Sequence, residues 1–163
     1  MEFIGQDWRK RLWMLLIGAS LHFCVVKPLM AADEINTGYF NDLALKGYDS
    51  TAYFSQGKAQ SGDERISFEW KGAVWLFARE ADRNLFAANP EAFAPQYGGY
   101  CSNQMSLGRL SDTDPHVWLI QDGKLYLFGH EAGRNRWEQT GIEAQIQAAD
   151  RHWKAFIQNG KIE

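Results

Sequence analysis

The residues best equipped for chemistry lie in one short run, Gln96-Tyr97-Gly98-Gly99-Tyr100-Cys101. Cys101 brings a thiol, whose deprotonated form is both a nucleophile and a soft-metal ligand. Tyr97 and Tyr100 each offer an apolar ring with a polar tip. Gly98 and Gly99 free the backbone to turn sharply or to press against a neighbour. These five residues can wall a small binding site, and they can equally form a tight corner in an aromatic core. Met105 follows Cys101 by four residues, so a helical turn would put both sulfurs on one face. A thiolate beside a thioether suits copper(I); Met105 as a core filler is the competing reading. Asp49, in the turn Lys46-Gly47-Tyr48-Asp49-Ser50, can brace that turn through its carboxylate or join a ligand site.

The chain holds two cysteines in 163 residues, and Cys24 falls in a segment expected to be removed. Cys101 then stays as a buried apolar thiol, a free reactive thiol, a metal ligand or half of an intermolecular bridge. Reactivity requires a lowered pKa, which a cation or a helix start supplies; Ser102-Asn103-Gln104 can begin such a helix with Cys101 at its cap. His116 and His130 bracket a hairpin, but an unbroken two-residue-loop ladder places His116 opposite Gly129 and turns His130 to the other face. They meet only if that ladder frays or bulges. His152, beside Trp153 on the last helix, falls at the solvent boundary. There is no Ser/His/Asp arrangement, phosphate loop, Cys-x-x-Cys, His-Glu-x-x-His or spaced carboxylate pair. The reading leans away from an enzyme.

The elements that must position these residues begin with an N-terminal segment of a different kind. Arg9-Lys10-Arg11 is a basic start, Leu12 to Val26 is apolar, and Leu29-Met30-Ala31-Ala32 supplies small residues for cleavage. Such a run makes a helix of about 23 Å, short of the roughly 30 Å hydrocarbon core. This is the layout of a signal peptide over residues 1–31, with an uncleaved anchor as the competing reading. Cleavage places the protein in the periplasm or outside the cell, with no stable membrane anchor. Of 17 basic and 20 acidic residues, four and two leave with the signal, so 13 and 18 remain and the net charge becomes −5. That balance favours solubility and offers no basic cluster for nucleic acid.

Residues 32–46 read as a polar lead-in, and Thr51-Ala52-Tyr53-Phe54 as a short apolar strand. Ile66 to Trp70 and Ala73 to Phe77 form a hairpin about Lys71-Gly72, with Trp70 facing Ala73 and Phe68 facing Trp75. Ile66, Phe68, Trp70, Trp75 and Phe77 share one face. Arg79 to Ala88 is predicted helical, with Ala81, Leu85 and Ala88 as its buried stripe, and Pro90 opens a further turn carrying Phe93. A second hairpin turns at Asp122-Gly123. Trp118, Ile120, Leu125 and Leu127 lie on one of its faces, and Val117, Leu119, Tyr126 and Phe128 on the other. Both faces are apolar, so this hairpin is predicted to be central. Ile142, Ile146, Ala149, Trp153 and Phe156 mark a long helix over residues 142–158. The fold class is α+β: a small antiparallel sheet of two hairpins with helices packed on it and no internal repeat.

With these pieces in hand the sequence resembles the YHS-domain proteins, and more closely their exported single-domain subgroup. The matching pieces are Gly47-Tyr48-Asp49 with Ala52-Tyr53-Phe54, Trp70-Lys71-Gly72-Ala73, Trp75-Leu76-Phe77-Ala78, the run from Leu85 through Asn89-Pro90 to Tyr97-Gly98-Gly99-Tyr100-Cys101, Asp122 to Leu127, and Arg136-Trp137. The resemblance implies a YHS-like domain over residues 47–158, followed by a tail at 159–163, and a small metal-associated module. The family's three cysteines fall here at Ala52, Ala78 and Asp82, so its usual metal site does not carry over. The expectation is therefore an exported binding module for a metal ion, such as copper, or a small ligand. Its ligand-binding residues would be Tyr97, Gly98, Gly99, Tyr100, Cys101 and Asp49, with Cys101 and Met105 as metal ligands. The alternatives are a redox protein using Cys101 alone and a structural or interaction domain with an inert cysteine.

Overall fold

Two hairpins and six helices surround two aromatic cores in the computed structural model, which describes residues 33–38 and 42–159. The predicted signal peptide and most of the tail lie outside the described residues. Helix α1 spans Ala52–Gln56, β1 Asp63–Trp70, β2 Ala73–Phe77, α2 Glu80–Ala88 and α3 Pro90–Phe93. Then come α4 Ser102–Met105, β3 Asp114–Gln121, β4 Lys124–Phe128, α5 Glu131–Thr140 and α6 Ile142–Asn159. The α+β class and the long C-terminal helix are as the sequence predicts.

The two hairpins do not pair with each other, so the described strands make two two-stranded sheets rather than one; β2 takes in addition a single parallel bridge between Leu43 and Val74. The cause is apolar area. Ile66, Phe68, Trp70, Trp75 and Phe77 pack into the same core as Trp118, Ile120, Leu125 and Leu127. Stacking the hairpins through these faces removes both from water, whereas edge pairing would leave both uncovered. The other face of the second hairpin, with Val117, Leu119, Tyr126 and Phe128, packs on Met105, Trp137 and α6. The second hairpin is thus central and covered on both sides. On α6, Ala149 and Phe156 are buried while Ile142, Ile146 and Trp153 are partly buried against this second core.

Three expectations give way. Thr51 to Phe54 is not a strand: α1 starts at Ala52. On α2 the buried positions are Asp82 and Phe86, while Leu85 is 46 % exposed. Phe86 takes the core because it meets Trp70, Trp75 and Phe77 with ring centroids 4.9–5.8 Å apart, an apolar surface no alanine stripe can match. The third is the absence of repeats.

Residues 45–86 and 97–137 repeat one pattern of turn, short helix, hairpin and helix. In each, a left-handed turn of three residues ends in tyrosine: Leu45-Lys46-Gly47-Tyr48 and Tyr97-Gly98-Gly99-Tyr100, with φ between +52° and +86° at the first three positions. The turns close alike, Tyr48 N donating to Leu45 O at 3.1 Å and Tyr100 N to Tyr97 O at 3.0 Å. A short helix follows each. The hairpins turn at Lys71-Gly72 and Asp122-Gly123, again at positive φ. Both ladders bulge at the same place, between Asp63 and Ser67 and between Asp114 and Trp118. Each bulge aspartate accepts from the backbone two residues on, Arg65 N at 3.0 Å and His116 N at 2.9 Å. Residues 75–86 then align with 126–137, with Leu, Phe, Glu, Ala, Arg and Asn shared. Phe86 and Trp137 are the matching core rings, both fully buried. Even the buried Ser50 and Ser102 hydroxyls correspond, each without a hydrogen-bond partner among the described residues.

Candidate functional site

Asp49 and Cys101 hold the same position in the two units. Asp49 N donates to Gln60 O at 2.8 Å, and Cys101 N to Ser111 O at 2.9 Å. Each side chain then accepts from the backbone just past the second strand: Asp49 Oδ2 from Ala78 N at 2.9 Å, Cys101 Sγ from Gly129 N at 3.3 Å. Asp49 also accepts from Thr51 N at 2.9 Å and Thr51 Oγ1 at 2.7 Å. It is fully buried with three donors on its carboxylate, an arrangement that offsets the cost of burying the charge. The bracing role expected of Asp49 is met within the turn, at Thr51, and extends across 29 residues of chain to Ala78.

Cys101 is 3 % exposed and lies among Tyr97, Met105, Val117, Tyr126, Phe128, Trp137 and Ala149. It stands at the N-cap of α4, but its side chain makes no cap hydrogen bond, and α4 is one turn long. Met105 joins the same core, as the shared helical turn requires. Among the described residues no group of three His, Cys, Asp or Glu side chains converges as a metal site. Tyr97 is buried, and its hydroxyl donates to Asp150 Oδ1 at 3.0 Å. Burial first, then the Asp150 charge, pushes its phenol far above the ordinary range. Burial and Asp150 likewise raise Tyr126, to about 12.

Gly98 and Gly99 receive the lead-in. Asn36 N donates to Gly98 O at 2.8 Å, and Tyr100 Oη to Asp33 O at 3.0 Å. A Cβ on Gly98 would stand 1.8 Å from Glu34 O, so only glycine admits the segment. Ile35 drops into the first core, and Glu34 pairs with Lys71. The structure therefore brings Tyr97, Cys101 and Met105 together in a core, sets Gly98, Gly99 and Tyr100 as a seat for residues 33–36, and places Asp49 with the first unit's turn.

The open cleft lies elsewhere, where the first unit's turn meets the approach to β3. It has a volume of about 470 Å³ and is lined by Lys46, Tyr48, Asp112, Asp114, His116 and Gly129, among others. Small-ligand pockets typically fall between about 300 and 1,000 Å³. Tyr48 Oη and His116 Nε2 are 3.1 Å apart, with the rings edge to face at 5.3 Å. Lys46 Nζ donates to Thr113 O at 2.7 Å and pairs with Asp112 Oδ2 at 2.9 Å. Burial tends to raise the Asp112 carboxyl, but hydrogen bonds from Lys46, Thr113 and Asn36 outweigh it and the net direction is down. Lys46 itself sits at φ +54°, a left-handed conformation that its counterpart Gly98 adopts without cost.

The ladder does bulge before Trp118, yet the two histidines do not form a pair. His116 faces Tyr48, and His130 Nδ1 accepts from Gly133 N at 3.0 Å, capping α5. Sequence reasoning missed Lys46, Tyr48 and His116 as one group. The signal that could have found them is the repeated Gly-Tyr at 47–48 and 99–100, which marks Tyr48 as the counterpart of Tyr100. Comparison with protein-family models, with curated proteins and with solved structures finds no match to this chain. No described helix is long and apolar enough to cross a membrane.

Proposed function

We propose that this chain is an exported, YHS-like binding module without catalytic chemistry, and that its ligand site is the cleft at Lys46, Tyr48 and His116. The observation that carries the reading is the Tyr48–His116 pair at 3.1 Å, opening on the cleft between the two units. A phenol, an imidazole and an ammonium on one open wall offer both donors and an acceptor to a small polar ligand. The Tyr-Gly-Gly-Tyr-Cys run then serves the site by building its support, with Cys101 as a packed hydrogen-bond acceptor. Export rests on the N-terminal signal layout, and the YHS-like build on the motifs quoted for that resemblance.

Native mass spectrometry of protein purified from its own cell tests the site. The expected result is a small-molecule adduct that is lost in Tyr48→Phe and His116→Ala but retained in Cys101→Ala. An adduct retained in both cleft variants and lost in Cys101→Ala would return the site to the thiol.

A further inference from the structure

The lead-in does more than cover the second turn. Asn36 Nδ2 reaches two acceptors, Gly99 O at 3.3 Å and Asp112 Oδ1 at 3.0 Å. Asp112 Oδ1 also accepts from Thr113 N at 2.7 Å, and its other oxygen holds Lys46. A continuous chain of contacts thus runs from the docked segment through Asp112 to the ammonium at the cleft. We infer that Asn36 is a positioning residue: by holding Asp112 on Lys46 it withholds that ammonium from an anionic group on a ligand, so docking of residues 33–36 and anion binding in the cleft oppose each other. The inference rests on the cleft being the binding site.

The chemistry follows from what faces Lys46. Its ammonium has three N–H groups; one goes to Thr113 O and one to Asp112. A carboxylate or phosphate approaching the third meets the Asp112 charge first, with Asp114 on the same wall. Like charges that close repel. Loss of the Asn36 amide removes one of the donors that orient Asp112, which then turns toward water, where about half of its surface already lies. Lys46, similarly half exposed, becomes available, and the Tyr48–His116 pair, with one hydrogen shared between Oη and Nε2, keeps another donor for the same anion. The backbone contact from Asn36 N to Gly98 O and the buried Ile35 side chain do not depend on this amide, so the segment can stay docked while its hold on Asp112 changes.

Lysine acetylation of the whole chain, read residue by residue by mass spectrometry, tests this with internal references. Lys58 is exposed and serves as the standard, and Lys71, paired with Glu34, reports whether the segment is docked. Asn36→Ala and the near-isosteric Asn36→Asp are expected to raise Lys46 acetylation about fivefold, the factor that goes with one ordinary hydrogen bond. Lys71 should be unchanged, and Asn36→Gln should restore the slow rate. Ile35→Ala, which loosens the whole segment, should speed both Lys46 and Lys71. Inorganic phosphate should protect Lys46 more strongly in Asn36→Ala than in the parent protein. Unchanged Lys46 reactivity in both Asn36→Ala and Asn36→Asp would overturn the positioning role. A lack of phosphate protection in every variant, with the acetylation pattern as expected, would overturn the anion-binding part and count against the cleft as a site.

Discussion

The two units share a backbone and differ in what covers them. The first hairpin has one face in the core and turns Ser67 and Glu69 to water, while the second is covered on both sides. That difference comes from α6, which has no counterpart after α2, where the short α3 follows instead. The units differ again at the bracket position. Asp49 gathers three donors because Thr51 lies two residues on; Cys101 has Asn103 there and accepts from Gly129 N. The turns differ in the same sense: Gly98 seats a length of chain, and Lys46 leaves an open cleft. One scaffold thus supports a sealed half and an open half. Equivalent backbone geometry does not imply equivalent chemistry, since side chains outside the shared hydrogen bonds decide what is exposed.

The largest way to break this comparison is to remove the covering helix. Truncation before Ile142 exposes the second hairpin's outer face and takes away the buried Phe156 and Ala149. Losing one large buried ring alone costs about 3–5 kcal/mol, against a total of roughly 5–15 kcal/mol for a domain. The expected outcome is a fragment with no cooperative melt by circular dichroism; a melt close to the full-length protein's would make α6 peripheral.

The bracket position should separate next. Asp49→Ala strands three buried donors and is expected to cost about 3–4 kcal/mol, whereas Cys101→Ala loses one weak acceptor and a small volume, about 1–2 kcal/mol. Urea titration of both variants measures the gap. Alkylation of native Cys101 should proceed no faster than global unfolding, and fast native-state labelling would contradict its burial.

The turns should separate by a smaller margin. Gly98→Ala should cost about 2–3 kcal/mol, from the left-handed φ together with displacement of Glu34. Lys46→Gly relieves the same strain and gives up an exposed ion pair, so its stability should stay within about 1 kcal/mol of the parent. If thermal melts show equal losses for the two substitutions, the turns are not equivalent in their demands.

Much of the fold is already present in periodicity. The registers at Lys71-Gly72 and Asp122-Gly123, both faces of the central hairpin and the α6 stripe all follow from local rules, because turn type and side-chain alternation act over a few residues. The stripe on α2 does not, since three alanine-and-leucine positions and the Asp82–Phe86 side are both consistent with a helical period; aromatic neighbours distant in sequence chose between them. The repeat is legible only in part: Leu, Phe, Glu, Ala, Arg and Asn recur between residues 75–86 and 126–137, whereas Asp49 and Cys101, or Tyr53 and Met105, hold matching positions with different side chains that share only a hydrogen-bond role or burial.

By itself the sequence determined that Cys101 is the one thiol beyond the N-terminal apolar segment, that the class is α+β, and which hairpin is central. Only the tertiary structure decided that Tyr97, Gly98, Gly99 and Cys101 are buried and that Lys46, Tyr48 and His116 share an open cleft. Tyr48 and His116 are 68 residues apart along the chain, and Asn36 and Asp112 are 76 apart. No local pattern encodes such pairs; they exist because the hairpins stack face to face to bury their aromatic surfaces.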